Sequence, residues 1–370
     1  MFDPKIWALV PFHFWTFCFF VFGCVGGSFL NVCIHRMPRE ESIVSPPSHC
    51  PHCGYSIPWY LNIPLITWVY LRGKCANCHA AISPRYFLVE LLTGVVFASC
   101  WMYFGHDYPL LSFVYCVMIS GLITATFIDY EHYIIPDEIT IGGMAVGFAA
   151  SFMVPSLHMN FPYFRRLTSP GQAMGHSLVG MIVGGALVYC MLRLGKLFFG
   201  RWRIKLPAPT RIFFTETMVK LPDQEIAYEE LFYRPSDAIR LRARSVELID
   251  RCYANVAVCL QPERLQIGED TFEPDKVPHM EAVTEQIVVP REAMGLGDVK
   301  FMAAIGAFLG WPGVLFSFLV SAVIGLCFAV GMILANKRNW SSRIPYGPYI
   351  AAAAVIWVFG GWKWFHHLLF

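Results

Sequence analysis

The sequence predicts a polytopic membrane protein built mainly from α-helices, about eight of them transmembrane, with two polar segments outside the membrane. Of its 370 residues, 56% are hydrophobic and 15% are charged, whereas a soluble domain has about 45–50% apolar and about 25% charged residues. The apolar residues lie in long runs, and the charged residues are concentrated between them. Because a net charge of +2 creates no broad basic field, we expect no nucleic-acid partner.

Eight apolar segments approach the roughly 20 residues that a helix needs to cross a bilayer. They lie near residues 7–30, 86–104, 110–128, 139–155, 174–198, 299–311, 313–334 and 344–366. The first segment is too long for the core of a signal peptide, and no basic region precedes it, so we interpret it as a retained transmembrane helix. Only Trp311 and Pro312 separate the sixth segment from the seventh.

Lysine and arginine residues set the predicted orientation of the helices. The segments after the first and seventh spans carry Arg36, Arg39, Arg72, Lys74, Arg85, Lys337, Arg338 and Arg343. The loops on the opposite side carry Lys5, Arg165, Arg166 and Lys363. Since basic loops tend to remain in the cytoplasm, we expect the first group to be cytoplasmic and both chain ends to face outward.

Two segments differ in composition from the apolar runs. Residues 31–85 are rich in proline, cysteine and histidine, and residues 200–294 hold much of the charge. The alternation of apolar and polar residues from Ile239 to Val246 has the period of a β-strand, so we predict a β-rich cytoplasmic domain there. The predicted organisation is a first transmembrane helix (1–30), a small cytoplasmic domain (31–85), helices two to five (86–199), an inserted cytoplasmic domain (200–294) and helices six to eight (295–370).

Four cysteines in the first polar segment have the spacing of a metal site. Cys50 and Cys53 form one CxxC pair, Cys75 and Cys78 form a second, and 21 residues separate the pairs. Two such turns can close a tetrahedral Zn²⁺ site with four thiolate ligands, which leaves no open position for catalysis. Disulfides or free thiols are the alternatives, and the reducing cytoplasm disfavours disulfides. We therefore predict a structural zinc ion that stabilises residues 31–85.

Two aspartates at the ends of apolar segments are the candidate catalytic residues. Asp129 ends the third span, and Asp298 lies 169 positions later, at the start of the sixth. A carboxylate near hydrocarbon is costly unless it faces a polar cavity or a partner. If the fold brings these two together, one retains a proton. One ionised and one protonated carboxyl group around a water molecule can carry out aspartic proteolysis.

Two glycines beside the second aspartate agree with a catalytic site. Gly295 and Gly297 would let the backbone of a substrate approach Asp298 closely. A helix cap or a charge at the level of the lipid headgroups is the alternative interpretation of each aspartate, and Glu131 and Asp137 are further acidic candidates. The spacing alone leaves these alternatives open.

A series of ordered motifs covers roughly residues 20–195 and 290–360. They are Gly27-Ser28-Phe29-Leu30-Asn31-Val32 with Arg36 and Pro38, the four cysteines, Asn62-Ile63-Pro64, Leu71-Arg72-Gly73-Lys74-Cys75, Ile82-Ser83-Pro84-Arg85-Tyr86, Val89-Glu90-Leu91-Leu92-Thr93-Gly94, Ile128-Asp129, Ile135-Pro136-Asp137, Gly295-Leu296-Gly297-Asp298-Val299-Lys300 and Ile344-Pro345-Tyr346-Gly347-Pro348. Together these motifs resemble those of the bacterial prepilin peptidases (leader peptidase/N-methyltransferases), which are GxGD-type intramembrane aspartyl proteases.

The resemblance implies specific roles for these residues. The catalytic pair of the family corresponds to Asp129 and Asp298, and its zinc ligands correspond to the four cysteines. It implies a protein of the bacterial inner membrane that cuts the basic leader of type IV prepilins or pseudopilins at the cytoplasmic face, serving type IV pili or type II secretion. It also implies N-methylation of the new N-terminus with S-adenosylmethionine, associated with residues 31–85. Glu90 could serve that second reaction or have a structural role.

One departure from the family pattern is the length of chain between the two aspartates. Residues of about 200–290 look inserted, at a loop rather than within a span. Two other classes of function remain as alternatives. A proton-coupled transporter would bind its substrate near the midplane and often shows repeats. An inactive zinc-anchored membrane scaffold would keep the cysteines and need neither aspartate.

Overall fold

The computed structural model describes residues 11–158, 169–199, 201–222, 225–228, 231–232, 237–290, 295–335 and 345–369. The chain divides into two units, one comprising Met1–Tyr189 with Gly295–Phe370 and the other comprising Cys190–Met294. The first unit is helical, and the second contains a β-sheet.

Among the described residues, the α-helices range from 5 to 39 residues in length. The α-helices are α1 (Phe12–Arg36), α2 (Ile66–Tyr70), α3 (Pro84–Phe104), α4 (Pro109–His132), α5 (Asp137–Met153), α6 (Pro170–Phe199), α7 (Leu296–Leu334), α8 (Gly347–Ile356) and α9 (Trp362–Leu369). A π-helix, Trp357–Gly361, joins α8 to α9. Proline is the first residue of α3, α4 and α6, a position where its missing N–H and fixed φ favour the start of a helix.

Five helices of the described residues are long and apolar enough to cross a membrane. They are Phe12–Arg39, Pro84–Phe104, Pro109–His132, Pro170–Leu197 and Leu296–Leu334. The chain is therefore a membrane protein, but the predicted number of eight spans is not confirmed. The segment predicted near 139–155 forms α5, which has only 17 residues.

The boundary of the first predicted span also needs correction. Residues 7–10 and 344 lie outside the described residues. Helix α1 continues to Arg36, so the first helix extends six residues beyond the predicted end at residue 30. The two spans predicted at 299–311 and 313–334 both lie in α7, which consists of two helices joined at a kink. The kink is at Gly310, where the backbone is non-helical with φ 70° and ψ 178°, two residues before Pro312.

Glycines allow α6 to pack closely against the first half of α7. A Cβ atom at position 184 would lie 2.5 Å from the carbonyl oxygen of Met302, and one at position 180 would overlap the carbonyl oxygen of Gly306. Small residues allow the backbones of membrane helices to approach in this way. The contact fixes the position of α7, which begins with the glycine-rich segment that contains Asp298.

The second unit contains one antiparallel sheet of eight strands, which confirms the prediction of a β-rich domain. The strands are β1 (Arg201–Thr215), β2 (Met218–Lys220), β3 (Glu225–Ala227), β4 (Ile239–Glu247), β5 (Cys252–Gln261), β6 (Arg264–Ile267), β7 (Asp270–Phe272) and β8 (His279–Pro290). Their order in the sheet is β3-β2-β1-β8-β4-β5-β6-β7.

Alternation along the strands separates a buried face of this sheet from an exposed one. In β4, Ile239, Leu241 and Ala243 are buried, whereas Arg240 and Arg242 are exposed. The first strand pairs with the last, and Arg201 lies opposite Pro290. Because the sheet's two chain connections lie side by side, a domain of this kind can extend from a loop without separating the helices on either side.

The close contact between α6 and α7 predicts the effect of adding one methyl group. We expect Gly180→Ala to destabilise the protein by about 1–3 kcal/mol, since the backbones must separate to accommodate the new side chain. Gly175→Ala is the control on the same helix, because a Cβ atom there would have nothing within 4 Å. Thermal unfolding in detergent measures both variants, and equal melting temperatures would contradict the packing.

Candidate active site and metal centre

Asp129 lies in the last turn of α4 and is buried, with 6% of its surface exposed. Its Oδ2 atom accepts a hydrogen bond of 2.8 Å from the backbone N–H of Gly347, the first residue of α8. A Cβ atom at position 347 would lie 2.7 Å from that oxygen. Only glycine therefore lets the start of α8 approach the carboxyl group so closely. This contact between Gly347 and Asp129 was not predicted from the sequence, in which Gly347 is only part of a family motif.

Asp298 lies in the first turn of α7, where its Oδ2 atom accepts a hydrogen bond of 3.3 Å from the N–H of Gly295. A helix N-terminus stabilises a carboxylate through its free N–H groups and dipole. A Cβ atom at position 295 would be in van der Waals contact with the backbone nitrogen of Gly297 at 3.8 Å and with the Oδ2 atom of Asp298 at 3.9 Å. Gly297 instead lies against Ile135, and a Cβ atom would be 3.4 Å from the Cβ of Ile135.

The fold brings these two aspartates together. Asp129 and Asp298 lie close enough for their charges to interact, although 169 positions separate them in the chain. Ile135 lies between the segments that carry them. Cβ atoms added at positions 297 and 347 would lie 3.4 Å and 3.3 Å from the side chain of Ile135, so this side chain packs against both glycines. Three distant parts of the chain thus form one site at the end of α4 and the start of α7.

The other two acidic candidates are held in ion pairs. The Asp137 carboxylate binds the ammonium group of Lys300, with its two oxygens 2.7 Å and 2.8 Å from Nζ. Glu131 pairs with Arg85 at the start of α3. Both side chains are therefore neutralised by a basic partner, unlike the pair at Asp129 and Asp298. The Lys300–Asp137 ion pair also ties the start of α5 to the start of α7.

An apolar groove of about 220 Å³ lies among α1, α4, α5 and α7. Thr124 of α4 lines it, five positions before Asp129, and so do Phe301 and Ile305 of α7, which follow Asp298 by three and seven positions. Since one helical turn has 3.6 residues, this groove begins about one turn from each aspartate.

Two turns of matching backbone conformation carry the four cysteines. In each turn the N–H of the first cysteine donates to the carbonyl oxygen five residues later, and its own carbonyl accepts from the N–H four residues later. The residue at that fourth position has a positive φ in both turns: 68° at Gly54 and 57° at His79. His49, His52 and His79 are exposed, and none of them belongs to the cluster of sulfur atoms.

The four sulfur atoms form a cluster that could hold a metal ion. The Sγ atoms of Cys50, Cys53, Cys75 and Cys78 all lie within 4.8 Å of one another, and those of Cys50 and Cys78 are 3.8 Å apart. Thiolates placed about 2.3 Å from a tetrahedral zinc ion would themselves be about 3.8 Å apart. The geometry therefore fits four-thiolate coordination.

Backbone N–H groups in the second turn favour the thiolate that a metal requires. Those of Cys78 and Asn77 donate to the Cys75 sulfur and lower the pKa of its thiol to about 6. The side-chain amide of Asn77 also donates to Cys53 across the cluster, at 3.7 Å. Metal ligands are commonly supported by such outer hydrogen bonds.

A buried polar cluster joins α3 to α1 and to the cysteine-bearing segment. The Glu90 carboxylate accepts a hydrogen bond of 2.8 Å from the N–H of Leu65 and another from the hydroxyl of Ser28. One turn away, the amide nitrogen of Asn31 donates to the carbonyl oxygen of Tyr86 at 3.0 Å. The Oδ1 atom of Asn31 is buried and has no partner among the described residues, nor does any described lysine or arginine form an ion pair with Glu90.

Two family models match the chain, one before the β-sheet unit and one that begins within its last strand. The model for the Bacterial Peptidase A24 N-terminal domain matches residues 21–104, and that for the Type IV leader peptidase family matches residues 280–330. The first match contains the cysteine cluster and Glu90, and the second contains Asp298. No solved structure matches the chain.

Relatives in several bacteria are similar to much of the chain. A protein of Myxococcus xanthus is 48% identical over 133 residues, which are 36% of this chain and 39% of that protein. One of Aeromonas hydrophila is 24% identical over 377 residues, covering 94% of this chain and 92% of the relative. One of Dichelobacter nodosus is 35% identical over 212 residues, covering 50% of this chain and 68% of the relative.

All three of these proteins bear the name prepilin leader peptidase/N-methyltransferase. The Aeromonas hydrophila relative covers nearly the whole chain, and the family models match the segments that carry the cysteine cluster and the glycine-rich signature. The chain belongs to the prepilin leader peptidase/N-methyltransferase family.

Proposed function

We propose that this chain removes the leader of a type IV prepilin or pseudopilin at the cytoplasmic face of the bacterial inner membrane, and then methylates the new N-terminus. The peptidase assignment rests on the proximity of Asp129, at the end of α4, to Asp298, at the start of α7. Basic residues near both helix ends, Arg85 and Lys300, agree with a cytoplasmic position for this end of the helices.

The two aspartates form the acid and base of the reaction. Neighbouring carboxyl groups do not both ionise readily, so the pair holds one proton and titrates as a unit. The ionised carboxylate takes a proton from a water molecule, which attacks the carbonyl carbon of the scissile peptide. The protonated carboxyl group donates its proton to the carbonyl oxygen. Transfer of a proton to the amide nitrogen then allows the C–N bond to break.

The surroundings of the pair suit a peptide substrate. Gly295 places no side chain beside the Oδ2 atom of Asp298, which would allow an extended substrate backbone to approach that carboxyl group. The apolar groove about one turn away would hold an apolar stretch of the substrate beside the scissile bond. The N–H groups of Gly347 and Gly295 each orient one carboxyl group.

A structural zinc ion at the four cysteines is part of the proposal. Cys50, Cys53, Cys75 and Cys78 would fill all four positions of a tetrahedral ion, so the metal would have no open position for substrate. The segment between α1 and α3 has few regular elements. The role of the metal would therefore be to hold the two cysteine-bearing turns together and so stabilise the fold of this segment.

The buried polar cluster around Glu90 fits the charge of the methyl donor. When bound, S-adenosylmethionine supplies a methyl group from a positively charged sulfonium. The Glu90 carboxylate, without a basic partner among the described residues, and the free Oδ1 atom of Asn31 would both stabilise a positive charge there. We propose that these two residues hold the cationic part of the cofactor or the new amino terminus.

Neither alternative function gains support from the site. A transporter would bind its substrate near the middle of the membrane, whereas Asp129 and Asp298 lie at the ends of their helices. An inactive scaffold offers no reason for two carboxyl groups to be held together against their mutual repulsion.

Replacing either aspartate by its amide tests the peptidase assignment. We expect Asp129→Asn and Asp298→Asn each to lower leader cleavage at least about hundredfold, because an amide cannot exchange the required proton. Asp107→Asn is the isosteric control, since this side chain is 74% exposed and lies outside the site. Cleavage of a purified prepilin on a gel measures all three. Near-normal cleavage by either site variant, in correctly inserted protein, would rule out that residue's role.

Metal content tests the cysteine cluster. We expect about one zinc ion per chain by elemental analysis, and its loss when Cys50→Ser and Cys75→Ser are combined, because each turn then loses a thiolate. Cys190→Ser with Cys252→Ser is the matched control, since both of these cysteines are exposed and lie outside the cluster. Zinc retained by the cluster variant, or no zinc in the unaltered protein, would count against the proposed site.

Glu90→Gln separates the two reactions. We expect methylation of the cleaved product to fall at least about tenfold, while cleavage stays within about twofold, because the amide keeps the shape of the carboxylate but not its charge. Mass spectrometry of the product's N-terminus measures methylation beside cleavage. An equal loss of both activities would show that Glu90 has a structural role only, and unchanged methylation would remove it from the proposal.

A further inference from the structure

The exposed face of the β-sheet carries four basic side chains on two nearby strands, Arg203 and Lys205 of β1 and Arg240 and Arg242 of β4. We call these four residues the basic face. Their neighbours along each strand, such as Ile204 and Leu241, pack in the core on the other side of the sheet. The basic side chains therefore all point away from the core.

The register of the sheet brings the basic face together. Arg203 of β1 and Arg240 of β4 both lie opposite Val288 of the intervening strand β8. Since neighbouring strands are about 4.8 Å apart, the two arginines are about 10 Å from each other across one uncharged residue. Lys205 lies opposite Gln286, which is also uncharged.

The two ends of these strands differ in charge. At the far end, Arg211 is paired with Glu281 at 3.1 Å and Arg244 is paired with Glu285. No hydrogen bond or ion pair neutralises a member of the basic face within the part of the chain that the structure describes. The exposed face thus has unbalanced positive charge at one end only.

The basic face lies at the end of the sheet where the chain connects to the apolar helices α6 and α7. Strand β1 begins at Arg201, four residues after the membrane segment that ends at Leu197, and β8 ends at Pro290, six residues before Leu296. An extended chain covers at most about 3.6 Å per residue, so Arg203 lies no more than about 22 Å from the end of that segment. The length of the chain therefore keeps this end of the sheet near the membrane surface.

We infer that the basic face binds the anionic headgroups of phospholipids in the same membrane. Exposed arginines and lysines close to a bilayer attract acidic lipids, and arginine binds phosphate oxygens through two parallel hydrogen bonds. The basic leader that the family resemblance implies for the substrate would be repelled by this face. This interaction would hold the sheet domain against the membrane, and it does not depend on the chemistry of the aspartate pair.

Chemical labelling of Lys205 in the full-length protein tests the inference. The protein is placed in nanodiscs of phosphatidylcholine alone or of phosphatidylcholine mixed with phosphatidylglycerol, and acetylation of each lysine is followed by mass spectrometry. Lys220 and Lys276 of the same domain are internal references, each in an ion pair with a glutamate. We expect phosphatidylglycerol to slow acetylation of Lys205 at least about fivefold relative to both references, and high salt to reverse this protection.

Charge reversal supplies the matched controls. Arg240→Glu combined with Arg242→Glu should abolish the protection of Lys205, whereas Arg211→Glu combined with Arg264→Glu changes the net charge equally and should preserve it. The variant in which Asp129 and Asp298 are both replaced by asparagine should show the same protection of Lys205 as the unaltered protein. A failure of the proposed peptidase chemistry can therefore be distinguished from a failure of lipid binding.

Three results would overturn the inference. The first is equal acetylation of Lys205 with and without phosphatidylglycerol. The second is protection in phosphatidylcholine alone, which would mean that protein rather than lipid covers the face. The third is equal loss of protection in both charge-reversed variants, which would reflect net charge rather than this surface.

Discussion

The placement of two neighbouring carboxyl groups in a largely buried position is the constraint on which the proposed active site depends. Because two such groups repel each other when both are ionised, the surrounding structure must hold Asp129 and Asp298 in place. Each accepts a hydrogen bond from a backbone N–H, of Gly347 and Gly295 respectively. Backbone donors at helix ends are fixed by the helices themselves, which makes them suited to holding a charge whose position matters.

Contacts farther from the carboxyl groups keep the same segments together. Ile135 lies between the glycine-rich signature and the start of α8, and the Lys300–Asp137 ion pair joins the starts of α5 and α7. This ion pair is half-exposed, so we ascribe to it alignment rather than much stability. The glycines that bring α6 against α7 restrict the latter helix from its other side. The proposed active site thus lies where several helix ends come together, and separate packing contacts hold each of these ends in place.

The sequence predicted best those features that depend on local pattern. Apolar runs located the helices, alternation around Ile239 located a strand, and the spacing of the cysteines indicated a cluster that the structure assembles. Features that depend on distant pairing were missed. The bond from Gly347 to Asp129 joins residues 218 positions apart, and no local pattern could indicate it. The predicted number of eight spans is not confirmed, because α5 has only 17 residues and α7 is continuous across the kink at Gly310.

Infrared spectroscopy of the carboxyl groups tests the central claim that Asp129 and Asp298 share one proton. At neutral pH the unaltered protein should show the C=O stretching band of a protonated carboxylic acid, since ionisation of both groups is disfavoured. Replacing either aspartate by asparagine should remove or shift this band, because the remaining carboxyl group no longer has a charged neighbour. A spectrum without such a band, or a band unchanged in both variants, would contradict a shared proton and with it the proposed acid–base pair.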